Sequence, residues 1–119
     1  MSSTTQLALI NGRIVQPDQV LETGHIIIDK SKIVSVNGTE RTPTSETIDL
    51  AGATVYPGFI DAHIHGSAGL DVMDASVDAL GQVSAFLVTQ GVTSWLPTLV
   101  PAADDEYQQS VKTIQQATR

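Results

Sequence analysis

The chain has 119 residues, 41% of them hydrophobic and 16% charged, with 6 Lys and Arg against 13 Asp and Glu and a formal net charge of −7. That balance suits a folded domain and argues against disorder, against nucleic-acid binding through phosphate contacts and against attraction to an anionic membrane. Cysteine is absent, which removes disulfides, zinc–thiolate centres and thiol nucleophiles together.

Met1 to Gln6 is polar and lacks a basic start followed by an apolar core, so no signal peptide is expected. No apolar run approaches the ~20 residues of a membrane span. A cytoplasmic location is the expectation. Leu7 to Ile10 then reads as a strand, Asn11-Gly12 as a turn and Arg13 to Val15 as its return, since Asn-Gly between apolar runs is a hairpin signal. His25 to Ile28 and Lys32 to Val36 follow as strands around the polar turn Asp29-Lys30-Ser31, and Asn37-Gly38 supplies another turn. Thr47 to Leu50 and Thr54 to Tyr56 are further short strands. Many short strands with turns between them predict a small β-sandwich or partial barrel over residues 1–56.

The pattern changes at Pro57-Gly58. Phe59 to Ile64 is a compact, largely apolar run, as expected of a parallel strand buried on both faces. Gly66 to Asp74 reads as a loop. Ser76 is placed to cap a helix, and Val77, Leu80, Val83 and Leu87 carry helical spacing up to a stop at Gly91. Val92 to Leu96 is the next strand. Pro101 opens a last helix with Asp104, Asp105 and Glu106 in its first turn, Tyr107, Val111 and Ile114 on one face, and Lys112 and Arg119 toward its end. Strand, helix, strand, helix is the order that builds a parallel sheet with right-handed crossovers. The fold class predicted is therefore α/β with a β-rich N-terminal part, residues 57–119 forming the second domain.

The chemistry concentrates in Asp61-Ala62-His63-Ile64-His65-Gly66. Side chains alternate along a strand, so His63 and His65 share a face that Ile64 does not. Two imidazoles on one face suit one transition-metal ion. They serve equally well as two exposed residues at a strand end. A catalytic zinc takes three protein ligands plus water, so two histidines are not a complete set. Asp61 lies two residues before His63 and either orients a ligand from the second shell or bonds to nearby backbone. His25, without a partner in sequence, reads as a structural or exposed strand residue. Asp71 and Asp74 read as loop and capping groups. Trp95 and Leu96 read as core, and Pro97 fits a strand end. Thr93, Ser94 and Thr98 have no base nearby to make any of them a nucleophile.

The run Pro57-Gly58-Phe59-Ile60-Asp61-Ala62-His63-Ile64-His65-Gly66 resembles the first barrel strand of the amidohydrolase superfamily. Gly69-Leu70-Asp71-Val72-Met73-Asp74-Ala75 and Gly91-Val92-Thr93-Ser94-Trp95-Leu96-Pro97-Thr98-Leu99-Val100 resemble, more narrowly, N-acetylglucosamine-6-phosphate deacetylases. The resemblance runs from about Leu7 to the last helix. It implies a β-sandwich segment of a small domain over 1–56 and the first two βα units of a TIM (β/α)8 barrel over 57–119. A whole barrel needs ~250 residues, so the expectation is a truncated barrel.

The resemblance further implies a metal-dependent hydrolase that removes acetate from a small amino-sugar phosphate. The cofactor implied is a divalent metal, zinc first, with iron, manganese or cobalt as alternatives. His63 and His65 match the family's metal pair, and retaining both leaves room for two ions. The other ligands, a Glu and two His, and the proton-transfer Asp belong to later strands, so no catalytic residue is assigned here and the chain alone is expected to be inactive. A homodimer is implied for the full-length parent. The alternatives are another amidohydrolase, of dihydroorotase or hydantoinase type, and a non-catalytic binding or assembly module.

Overall fold

The computed structural model describes residues 6–38 and 46–118, and Arg119, expected in the last helix, lies outside them. Two compact units divide at Pro57 and Gly58. The first contains strands β1 (Gln6–Val15), β2 (Val20–Asp29), β3 (Lys32–Val36), β4 (Glu46–Asp49) and β5 (Thr54–Val55). They form one mixed sheet in the order β3-β2-β1-β4, with β5 also beside β1. β1 is its centre, antiparallel to β2 and parallel to β4 and β5. Ala8, Ile14, Ile26 and Ile27 are buried. Among the described residues this unit is β-rich, as expected, and its strands form one hydrogen-bonded sheet, β3 joining through β2, and β2, β4 and β5 directly to β1.

Asn11-Gly12 is a correction. The two residues do not reverse the chain; they bend β1 at a bulge, where its register with β2 slips on both sides of Gly12. Asn11 adopts φ 57°, a left-handed conformation that Asn tolerates, and one such residue is enough for a bulge. Gly12 then passes so close to Leu50 that a Cβ would lie 2.4 Å from its Cδ1. The reversal comes later, where Gln16 N–H donates to the Gln19 carbonyl (2.9 Å). The turn at Asp29-Lys30-Ser31 is where expected, with Lys30 at φ 56°.

The second unit contains β6 (Phe59–Ile64), a small hairpin of β7 (Gly66–Ser67) and β8 (Leu70–Asp71), α1 (Val77–Thr89), β9 (Val92–Pro97) and α2 (Asp104–Ala117). β6 and β9 pair in parallel, with α1 as their crossover. Ser76 caps α1 by accepting from the N–H of Ala79 (3.1 Å), satisfying one of the orphan donors of the first turn. Leu80, Val83 and Leu87 are its buried stripe, while Val77, expected on the same face, is exposed at the first turn. Gly91, at φ 78°, ends it by donating to the Val88 carbonyl, in the left-handed position that glycine fills most readily.

Helix α2 departs from expectation. Its buried residues are Ser110 and Thr113, while Val111 is exposed. Ser110 Oγ lies 2.9 Å from the Met73 carbonyl and 3.0 Å from that of Glu106, so a small hydroxyl can be buried at this contact with its hydrogen bonding satisfied. The last turn of α2 holds no basic residue.

Strand β6 is also not buried on both faces. Phe59 is 65% and Ile60 72% exposed. In β9, Trp95 donates from Nε1 to Ser84 Oγ of α1 (3.0 Å). Alternation turns Leu96 to the opposite face, where it is 59% exposed. Helix α1 packs against β9, while Phe59, Ile60 and Leu96 of the strand pair remain exposed. No helix of the described residues is long and apolar enough to cross a membrane.

Candidate functional site

His63 and His65 lie at the C-terminal end of β6, and the two rings face each other. Their centroids are 5.0 Å apart with the planes at 83°, and the two Nε2 atoms approach to 3.2 Å. Both side chains are solvent-exposed. The strand holding them is irregular: from Asp61 to Ile64, β6 advances one residue more than β9 does from Trp95 to Pro97. That is a β-bulge, a device that re-aims side chains beside functional sites.

Asp61 serves the bulge. Its Oδ1 accepts the backbone N–H of His63 at 3.1 Å, a local turn that fixes where the His63 backbone sits. This is the backbone bond that the sequence left open to Asp61.

The other support comes from just beyond β9. Thr98 N–H donates to the Ile64 carbonyl (2.8 Å), Thr98 Oγ1 accepts from Ile64 N–H (3.2 Å), and the Thr98 carbonyl lies 2.9 Å from His65 Nδ1. Sequence reasoning considered Thr98 only as a nucleophile and so missed this. The signal was its position: it follows directly on Pro97, which the parallel register sets beside Ile64, between the two histidines.

Behind the pair, the Val72 N–H donates to the His65 carbonyl (2.8 Å), and Val72 is almost fully buried. Gly66 has φ 147°, and a Cβ there would meet the Leu70 carbonyl oxygen at 2.0 Å. The chain after His65 therefore turns tightly only because residue 66 has no side chain. Asp71 accepts from the Met73 N–H (2.8 Å), a turn role, and Asp74 is exposed. His25 stands apart in the first unit, with Nε2 2.7 Å from the Gly38 carbonyl, which makes it structural.

Two imidazole nitrogens bound at ~2.0–2.1 Å to one tetrahedral zinc stand ~3.3 Å apart. The 3.2 Å between His63 Nε2 and His65 Nε2 matches that spacing, so the pair fits a divalent cation as two of its ligands. It is not a full set: among the described residues no three His, Cys, Asp or Glu side chains gather as a metal site.

Two convergent imidazoles thus stand at the C-terminal end of a parallel strand that a helical crossover follows. The chain belongs to the amidohydrolase family, whose model matches residues 46–115. Within it, the chain is 41% identical over 90 residues to the N-acetylglucosamine-6-phosphate deacetylase of Bacillus subtilis, a match covering 73% of this chain and 22% of that one. It is 43% identical over 60 residues to the N-acetylgalactosamine-6-phosphate deacetylase of Escherichia coli O157:H7, covering 50% and 16%. Its fold is similar to the crystal structure of N-acetylglucosamine-6-phosphate deacetylase from Pasteurella multocida, with a TM-score of 0.87 at 27% identity over 95% of this chain and 30% of that one. The chain thus spans less than a third of the length of each of these relatives.

Proposed function

We propose that this chain supplies two metal ligands to a hydrolase that deacetylates N-acetylglucosamine 6-phosphate, giving glucosamine 6-phosphate and acetate. The 3.2 Å approach of His63 Nε2 and His65 Nε2 carries the reading, and the likeness to deacetylases over most of the chain supports the substrate class. The same reading assigns residues 1–56 to a small domain and 57–119 to the start of a TIM barrel. It also assigns a cytoplasmic location and a homodimer to the parent enzyme.

An amide resists hydrolysis because resonance weakens its carbonyl as an electrophile and its amine is a poor leaving group. A bound divalent cation, zinc by preference for two imidazoles, would polarise that carbonyl and make its own water acidic enough to attack near neutral pH. What this chain's residues do is hold and aim. His63 and His65 offer neutral nitrogen donors on one face. Asp61 fixes the His63 backbone, and Gly66 lets the chain leave the strand without crowding the ligands.

The experiment is a chimera in which this chain replaces the matching segment of the Bacillus subtilis deacetylase. The expected result is acetate release from N-acetylglucosamine 6-phosphate, with loss of at least two orders of magnitude when His63→Ala and His65→Ala are introduced together. A folded chimera without activity, or one indifferent to the double substitution, sinks the reading.

A further inference from the structure

With both rings neutral, His65 has one hydrogen-bonding solution. Its Nδ1 faces the Thr98 carbonyl oxygen at 2.9 Å, and a carbonyl only accepts, so Nδ1 carries the proton. A neutral imidazole has a single N–H, so His65 Nε2 is left as a bare acceptor. His63 Nε2, 3.2 Å away, then donates to it. The two histidines therefore hold opposite tautomers in the metal-free chain, and the Nε2 lone pair of His65 points toward His63.

The carbonyl that imposes this is itself held. Thr98 brackets the backbone of Ile64, donating from its N–H to the Ile64 carbonyl and accepting the Ile64 N–H on Oγ1. The Thr98 hydroxyl also lies 3.2 Å from the Leu96 carbonyl. Its proton goes there, which leaves an oxygen lone pair for Ile64. Ile64 sits between the two histidines, so this bracket sets the position of the Thr98 carbonyl relative to both.

We propose that Thr98 is the positioning residue of the histidine pair: it selects the Nδ1–H tautomer of His65 and keeps the Nε2 lone pair turned to the point that His63 also faces. Ligating imidazoles are commonly held this way by a carbonyl on the second nitrogen. The consequence for metal affinity rests on the reading of the pair as ligands; the tautomer does not, because it belongs to the metal-free chain.

The test is long-range proton–nitrogen NMR of the 15N-labelled, metal-free chain, followed by titration with zinc. Unsubstituted chain should show His65 protonated at Nδ1 and His63 at Nε2. Thr98→Ser keeps the hydroxyl and should keep both patterns. Thr98→Val removes the acceptor for Ile64 N–H, so His65 should become a mixture of tautomers and zinc should bind about tenfold more weakly. An Nε2–H tautomer at His65 in the unsubstituted chain overturns the proposal, as does a folded Thr98→Val chain with both tautomer and affinity unchanged. Should that variant not fold, the unsubstituted and Thr98→Ser spectra decide alone. Predicted tautomers without zinc binding would sink the metal reading and leave the role of Thr98 standing; zinc binding with the opposite tautomer would do the reverse.

Discussion

Asp61 shows how a backbone group can engage a carboxylate beside a candidate ligand. In the sequence it sits two residues before a histidine, where a charge on the imidazole or a bond to the main chain are equally open. At the bulge in β6 the main-chain bond is made, the His63 N–H donating to Asp61 Oδ1. If the side chain acts as an acceptor and not as a charge, Asp61→Asn should hold the strand nearly as well as Asp. Asp61→Ala should cost about 1 kcal/mol in urea unfolding and weaken zinc binding roughly tenfold. Equal losses in the Asn and Ala variants would mean that the charge itself matters.

At the scale of elements, capping and burial were legible to different degrees. Helix α1 could be read almost residue by residue: the Ser76 cap, the stripe of Leu80, Val83 and Leu87, and the stop at Gly91 all depend on local geometry that the sequence carries. Ser76→Ala should lower stability by about 1 kcal/mol, and Ser76→Asp should not, since either oxygen can accept from Ala79 N–H; thermal melts of the two variants check this. Helix α2 was misread in part: Tyr107 and Ile114 are half-buried as the periodicity expects, but Val111 is exposed and the most buried positions are the polar Ser110 and Thr113. Ser110, only 3% exposed, is held there by the Met73 carbonyl in the loop before α1, a tertiary bond that no helical pattern records. Ser110→Ala should leave that carbonyl without its hydroxyl donor and cost about 1–2 kcal/mol, read from chemical denaturation. Asn11-Gly12 was misread for a related reason: the same dipeptide serves a hairpin turn or a bulge, and the pairing of β1 with β2, β4 and β5 decided for the bulge. The histidine pair itself was legible because strand alternation sets both rings on one face. Its geometry was not, because the bulge at 61–64 and the bracket from Thr98 arise only when β6 meets β9.

Across the whole molecule, what stands out is the apolar surface left in water. In the second unit, Val72, Leu80, Val83 and Leu87 are buried, yet Phe59, Ile60 and Leu96 are not. Large aliphatic and aromatic groups on open strands, beside unpaired sheet edges, favour contact with other chains. The net charge of −7 opposes that association at long range but is screened within about 8 Å at physiological salt, so it cannot protect a surface once two molecules touch. The chain alone should therefore associate as its concentration rises, and more so as salt is added. Ile60 is the residue to change: it is the most exposed of the three, and Thr keeps the β-branched shape that suits a strand. Ile60→Thr should shift sedimentation profiles toward monomer and lower the binding of a hydrophobic dye, with little loss of stability because the side chain is already in solvent. An unsubstituted chain that stays monomeric at high concentration and high salt would show that this face is protected in a way its exposure does not reveal.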